Sequence, residues 1–173
     1  SQSSQITDKL TTLQRNIQSQ ADTFGTYAEA LRSLADAAHL QAVKDALNNA
    51  AQQAQNTQNE LQKVADSISD ASKKITDGTA SADDTRKSLK KQIAAAKQSI
   101  TDMANTYDTT IKPQLDELVE SISDFVKQSG SVIDGLAATA TSMSGLSGDI
   151  TGSLSDVQSS LGDAATTLNA SAE

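Results

Sequence analysis

Cysteine and tryptophan are absent from the 173-residue chain, proline and histidine occur once each, and aromatic residues make up only 2% of it. Without cysteine there is no disulfide, thiolate metal ligand or cysteine nucleophile. Any histidine-based zinc site, Ser-His-Asp triad or histidine general base would depend on His39 alone. In Ala37-Ala38-His39-Leu40 it sits among small apolar neighbours with no flanking cluster of acids, and it reads as a surface or seam-edge side chain. No apolar run approaches the roughly 18 residues that span a bilayer, and no secretory signal with a basic, apolar and small-residue order is visible. The chain therefore reads as a soluble segment. Positive charge is scarce as well, with 14 Lys and Arg against 22 Asp and Glu and a formal net charge of −8. Phosphate binding needs clustered bases. The densest basic stretch, Arg86, Lys87, Lys90, Lys91 and Lys97, directly follows Asp83 and Asp84 and reads as a solvated helix face. Nucleic acid is not expected as a partner.

Apolar residues are also few, at 36% against about 45–50% in an ordinary globular domain. They must be spread along a narrow seam, and their spacing says how. Ile6, Leu10, Leu13, Ile17, Phe24, Tyr27, Leu31 and Leu34 follow alternating steps of three and four, with Gln20 in the slot between Ile17 and Phe24. A second register runs through Leu40, Val43, Leu47, Ala50, Ala54, Thr57, Leu61, Val64, Ile68, Ala71 and Ile75, a persistent coiled-coil pattern. Leu61 is a seam position in this register and Gln58 an exposed one. The step from Leu34 to Leu40 is six instead of seven, and no Gly or Pro accompanies it. It reads as a register skip in one continuous helix, with a tight helix–helix turn as the alternative.

Asp77-Gly78-Thr79-Ala80-Ser81 is a full stop, with Gly just past the last seam residue and Ser81 three before Asp84 as a helix cap. The next seam is Leu89, Ile93, Ala96, Ile100, Met103, Tyr107, Ile111, Leu115, Leu118, Ile122 and Phe125. Pro113 lies inside it, beside the double four-residue step Tyr107–Ile111–Leu115, and predicts a kink. All basic residues lie at or before Lys127, and six of the eight glycines lie after it. Residues 1–127 thus form a charged coiled-coil region with a turn near 77–81 and a kink at 113. Residues 128–173 form a Gly/Ser/Thr-rich segment that continues the same elongated domain. Its seam persists through Val132 or Ile133, Leu136, Met143, Leu146, Ile150, Leu154, Val157, Leu161 and Leu168. Interior glycines each cost a helix about 1 kcal/mol against alanine, so this helix must be held by packing.

No reaction centre emerges. Asp116, Glu117, Glu120 and Asp124 cluster on one or two helix turns, but calcium takes six to eight oxygens, usually from a sharply turned loop, and a solvated acidic face is the simpler reading. No Gly-rich phosphate loop ending in Gly-Lys-Ser/Thr occurs, and Met103, Tyr107 and Phe125 occupy seam positions. Catalytic, cofactor-binding and metal sites are all read as none, and the chain as not an enzyme.

Gly135-Leu136, Gly145-Leu146-Ser147-Gly148 and Gly152-Ser153-Leu154 resemble the Leu- and Gly-containing heptads of the YhgE/Pip family, the phage infection proteins of Gram-positive bacteria. In that family a large, mostly helical extracellular region with such repeats lies between transmembrane segments. The resemblance covers about the last 45 residues, and Leu146-Ser147-Gly148 and Leu161-Gly162 depart from the family's three-residue Leu-to-Gly spacing. It implies an ectodomain on the outer face of the cell membrane, with a surface role in phage adsorption or export.

The expected fold is all-α: an elongated antiparallel helical hairpin or coiled-coil bundle, with a four-helix bundle as the alternative. The low apolar content, and the lack of Gly or Pro near His39, favour the hairpin. The expected function is a non-catalytic stalk or interaction module. It would bind protein partners or itself through helical faces and need no cofactor. A chemoreceptor-like sensory domain and a secreted or phage structural coiled coil are the rival readings.

Overall fold

The computed structural model describes residues 2–37, 41–129 and 134–170. Every described element is helical: α1 (Gln2–Ala37), α2 (Gln41–Thr76), α3 (Ala82–Thr106), a π turn (Tyr107–Ile111), α4 (Lys112–Ser129) and α5 (Asp134–Ala170). The all-α expectation holds.

The best-defined reversal is the one between α2 and α3. Gly78 takes φ +72°, the left-handed conformation that glycine adopts without a Cβ penalty. Thr79 N–H reaches back to the Lys74 carbonyl at 3.0 Å and Gly78 N–H to that of Ile75 at 3.2 Å, which closes the last carbonyls of α2 in a Schellman arrangement. Ser81 then accepts from Asp84 N–H at 3.1 Å and caps α3. Beside that cap, the Arg86 and Lys87 side chains pair with Asp83 and hold its carboxyl below the usual carboxylate range.

The four-helix alternative is the one realised. Gln18 pairs with Gln62 and Arg32 with Gln55, so α1 and α2 run antiparallel. Tyr27 pairs with Ser153 and Gln20 with Ser160, so α1 also lies antiparallel to α5. Gln53 bonds Met103 across α2 and α3, and Tyr107 bonds Ser147 across the π turn and α5. The order is up-down-up-down, with α1 flanked by α2 and α5, and the α3–α4 rod diagonal to α1. At 1.5 Å per residue α1, α2 and α5 are each about 55 Å long, and the α3–α4 rod about 70 Å.

Alanine is why a chain so poor in large apolar residues builds four buried faces. On α1, Ile17, Phe24 and Leu31 form a buried central row, and Ala21, Ala28 and Ala35 a second buried row seven residues apart. The second row lies toward α2, while half-buried Leu13, Tyr27 and Leu34 flank the centre toward α5. A seam drawn through large residues alone assigns Gln20 and its heptad mates to the core and misses the alanine row. That row widens the face from a two-helix seam to a bundle face. In α2, all ten expected positions from Val43 to Ile75 are buried, joined by Ala46, Ala51 and Ala65. The six-residue step near His39 therefore falls where the chain reverses and is no skip in a continuous helix; His39 and Leu40 themselves lie outside the described residues. Gln58, expected to be exposed, is half-buried: it lies over Gly25, where a Cβ would come 2.5 Å from its Nε2.

In the second half Leu89, Ile93, Ala96, Ile100, Tyr107, Ile111, Leu115 and Ile122 are buried as expected, whereas Met103 and Leu118 are only partly so and Phe125 is 51% exposed. For Phe125 the reason is helix length. Extending the Gln20–Ser160 and Tyr27–Ser153 pairing puts Ala37 level with Met143, so the end of α4 and the start of α5 project past α1 and α2. Phe125 continues a seam beyond the helix that would have covered it.

Candidate functional site

The densest polar cluster in the core surrounds the π turn. A heptad seam alternates steps of three and four, but Tyr107, Ile111 and Leu115 are four and four apart, one residue too many for an unbroken α-helix. The π turn takes up that extra residue. Lys112 N–H bonds the Tyr107 carbonyl five residues back, and all three side chains stay buried on one face. Pro113 follows at once. Having no N–H and a ring that crowds the carbonyl four residues earlier, it is accommodated by the wider turn, so α3 and α4 form a continuous rod. At the expected kink position the helix changes type.

Tyr107 is fully buried. Its hydroxyl donates to the Ser147 carbonyl at 3.1 Å and lies 2.7 Å from Ser147 Oγ. Thr151 Oγ1 donates to the same carbonyl at 3.0 Å. One turn earlier, Gln53 Nε2 donates to the Met103 carbonyl at 2.6 Å, and buried Thr57 donates to the Gln53 carbonyl at 3.0 Å and contacts Met103 Sδ at 3.4 Å. Burial pushes the Tyr107 phenol above its ordinary range, helped by the Asp116 and Asp108 charges and opposed by the Ser147 and Thr151 hydrogen bonds. The phenol therefore stays protonated near neutral pH, with its hydroxyl engaged by Ser147. Chemically, this cluster is a clasp between α5 and the rest of the bundle.

Ser147 is the residue that sequence reasoning missed. The buried positions of α5 form two strict seven-residue rows, Ala140-Ser147-Leu154-Leu161-Leu168 and Met143-Ile150-Val157-Ala164. Leu146, taken for the seam because of its size, is only partly buried beside them. Extending the Leu154-Leu161-Leu168 row one heptad toward the N-terminus finds Ser147.

Asp116, Glu117, Glu120 and Asp124 are all exposed, and Asp116 pairs with Lys112 at 3.0 Å. Among the described residues no group of three His, Cys, Asp or Glu side chains could hold a metal ion. The grooves between helices are open and shallow. One of about 670 Å³ lies between α4 and α5 at the projecting end, lined by Val119, Val126, Ala137, Ala140 and Gly145. No described helix is long and apolar enough to cross a membrane. No family model, characterised protein or solved structure matches the chain.

Proposed function

We propose that this bundle is a non-catalytic extracellular interaction module of a bacterial membrane protein, with a surface role in phage adsorption or export. One observation carries the reading. In the up-down-up-down order α1 begins and α5 ends at the same pole, while the projecting α4–α5 pair, with exposed Phe125 and the acidic residue Asp124, occupies the other. Such a domain can be held at one pole by membrane-crossing segments and present the opposite pole to a protein partner. The Gly/Leu heptads of α5, which resemble those of the YhgE/Pip family, support the same placement. A cysteine introduced at exposed Lys91 in the natural gene product tests it. A membrane-impermeant maleimide should label this site in intact cells; labelling only after lysis overturns the extracellular reading.

A sensory domain is the second reading, favoured by the open groove between α4 and α5 at the same projecting pole. A small molecule whose addition raises the melting temperature, with the gain lost in Ala140→Phe, would favour it over the interaction module.

A further inference from the structure

We infer that α5 is a releasable helix, which opens as a unit from the scaffold made by α1, α2 and the α3–α4 rod while that scaffold stays folded. Three independent features of its docking point there. The first is its glycines. A Cβ built at Gly135, Gly145, Gly148 or Gly152 meets nothing within 4 Å, so no close approach requires glycine at these positions. Each lowers the helix–coil equilibrium of α5 about fivefold against alanine with no packing gain in return. The second is charge. The ion pairs among the described residues, Lys63–Glu60, Arg86–Asp83, Lys87–Asp83 and Lys112–Asp116, all lie outside α5. Helix α5 has no basic residue to pair with Asp149, Asp156 and Asp163 or to face the negative end of its own dipole. The third is the seam with α1. Gln20 Nε2 donates to Ser160 Oγ at 2.7 Å, but Gln20 Oε1 is buried there without a hydrogen-bond partner. Docking α5 thus leaves an acceptor that water would satisfy in the open form.

Against these stand two buried heptad rows and three serine contacts, Ser147 with Tyr107, Ser153 with Tyr27 and Ser160 with Gln20. The docked helix is therefore held by its partners and little by itself, the profile of a segment that opens below the global unfolding limit. By contrast α2 carries alanine-rich contacts on one side and the α3 seam on the other.

Hydrogen exchange of the whole chain under native conditions tests the inference. Amides of 134–170 should exchange at least tenfold faster than those of 41–76. The triple variant Gly145→Ala/Gly148→Ala/Gly152→Ala should slow exchange across 134–170 and across 41–76 by the same factor, up to about a hundredfold, because α5 is undocked in the local opening and in global unfolding alike. Ile68→Val, a buried change within α2, should speed exchange across 41–76 several-fold and leave 134–170 unchanged, because α2 stays folded when α5 opens. Equal protection of the two segments in the natural chain, or an Ile68→Val variant that speeds both together, would show that α5 leaves only when everything unfolds and would overturn the inference.

Discussion

The Tyr107 hydroxyl and Ser147 Oγ stand 2.7 Å apart inside the bundle, each fully or almost fully shielded from water. The phenol donates to the Ser147 carbonyl, which leaves the serine hydroxyl to donate back to the phenol oxygen. The two polar residues satisfy each other in a setting where an unpaired hydroxyl costs about 1–3 kcal/mol.

Removing either partner strands the other. Tyr107→Phe and Ser147→Ala should each destabilise the fold by about 1–3 kcal/mol. The double variant should cost less than the sum of the two, because the second change removes a group the first has left unpaired. Urea unfolding of the four proteins measures this, and strict additivity would show that the contact carries no coupling energy.

Alkaline pH should weaken the fold through the same phenol. The folded state holds the Tyr107 proton more tightly than the unfolded chain does. The contribution is therefore constant at neutral pH, and stability falls as pH rises past about 10, where an unfolded tyrosine ionises. Phenolate absorbance followed together with helical circular dichroism checks it. In the Tyr27→Phe background, the absorbance of Tyr107 should rise only with the loss of helix.

Leu61 is fully buried in α2, whereas Phe125 is 51% exposed beyond the end of that helix. Leu61→Ala should cost about 2–5 kcal/mol, and the nominally larger deletion Phe125→Ala should stay within about 0.5 kcal/mol of the natural chain. Equal melting temperatures for the two variants would contradict the helix lengths described above.

The alanine row of α1 makes an opposite kind of test. Ala28 is fully buried, and a larger side chain there must push α1 away from its neighbours. Ala28→Leu adds apolar surface yet should destabilise by about 1–3 kcal/mol. A two-helix hairpin with a seam through Tyr27 would instead leave position 28 off the seam and tolerate leucine.

The sequence is most legible in α2, where large, small and polar seam residues such as Leu61, Ala54 and Thr57 keep one strict period and all turn out buried. The stop at Gly78 and the cap at Ser81 are equally plain, because left-handed backbone and exposed helix N–H groups each call for particular residue types. What the sequence hides is the number of helices packed together. That number depends on whether alanines count as core, and an alanine pattern alone is the same on a solvated face and in a tight interface. The reversal after Ala37 lacks glycine and proline, so local chemistry gives no sign of it. Ser147 is hidden for a related reason: a lone serine among the glycines, serines and threonines of α5 differs from its neighbours only in its heptad position. No chemical site was read in the sequence, and the clasp at Tyr107 depends on a partner 40 residues away.

The Gly25–Gln58 contact has a consequence for how α1 finds its place on α2. Ala21, Ala28 and Ala35 repeat every seven residues, so sliding α1 by two turns would exchange one alanine contact for another almost identical one. Gly25 is the only glycine before Gly78, and its missing side chain is the notch into which Gln58 fits. After a two-turn slide Gln58 would face Arg32 or Gln18 instead, while the notch would stand against Ala51 or Ala65 and go unfilled. One absent methyl group thereby serves as the index mark on an otherwise repeating scale, telling apart alignments that the alanines alone would leave equivalent.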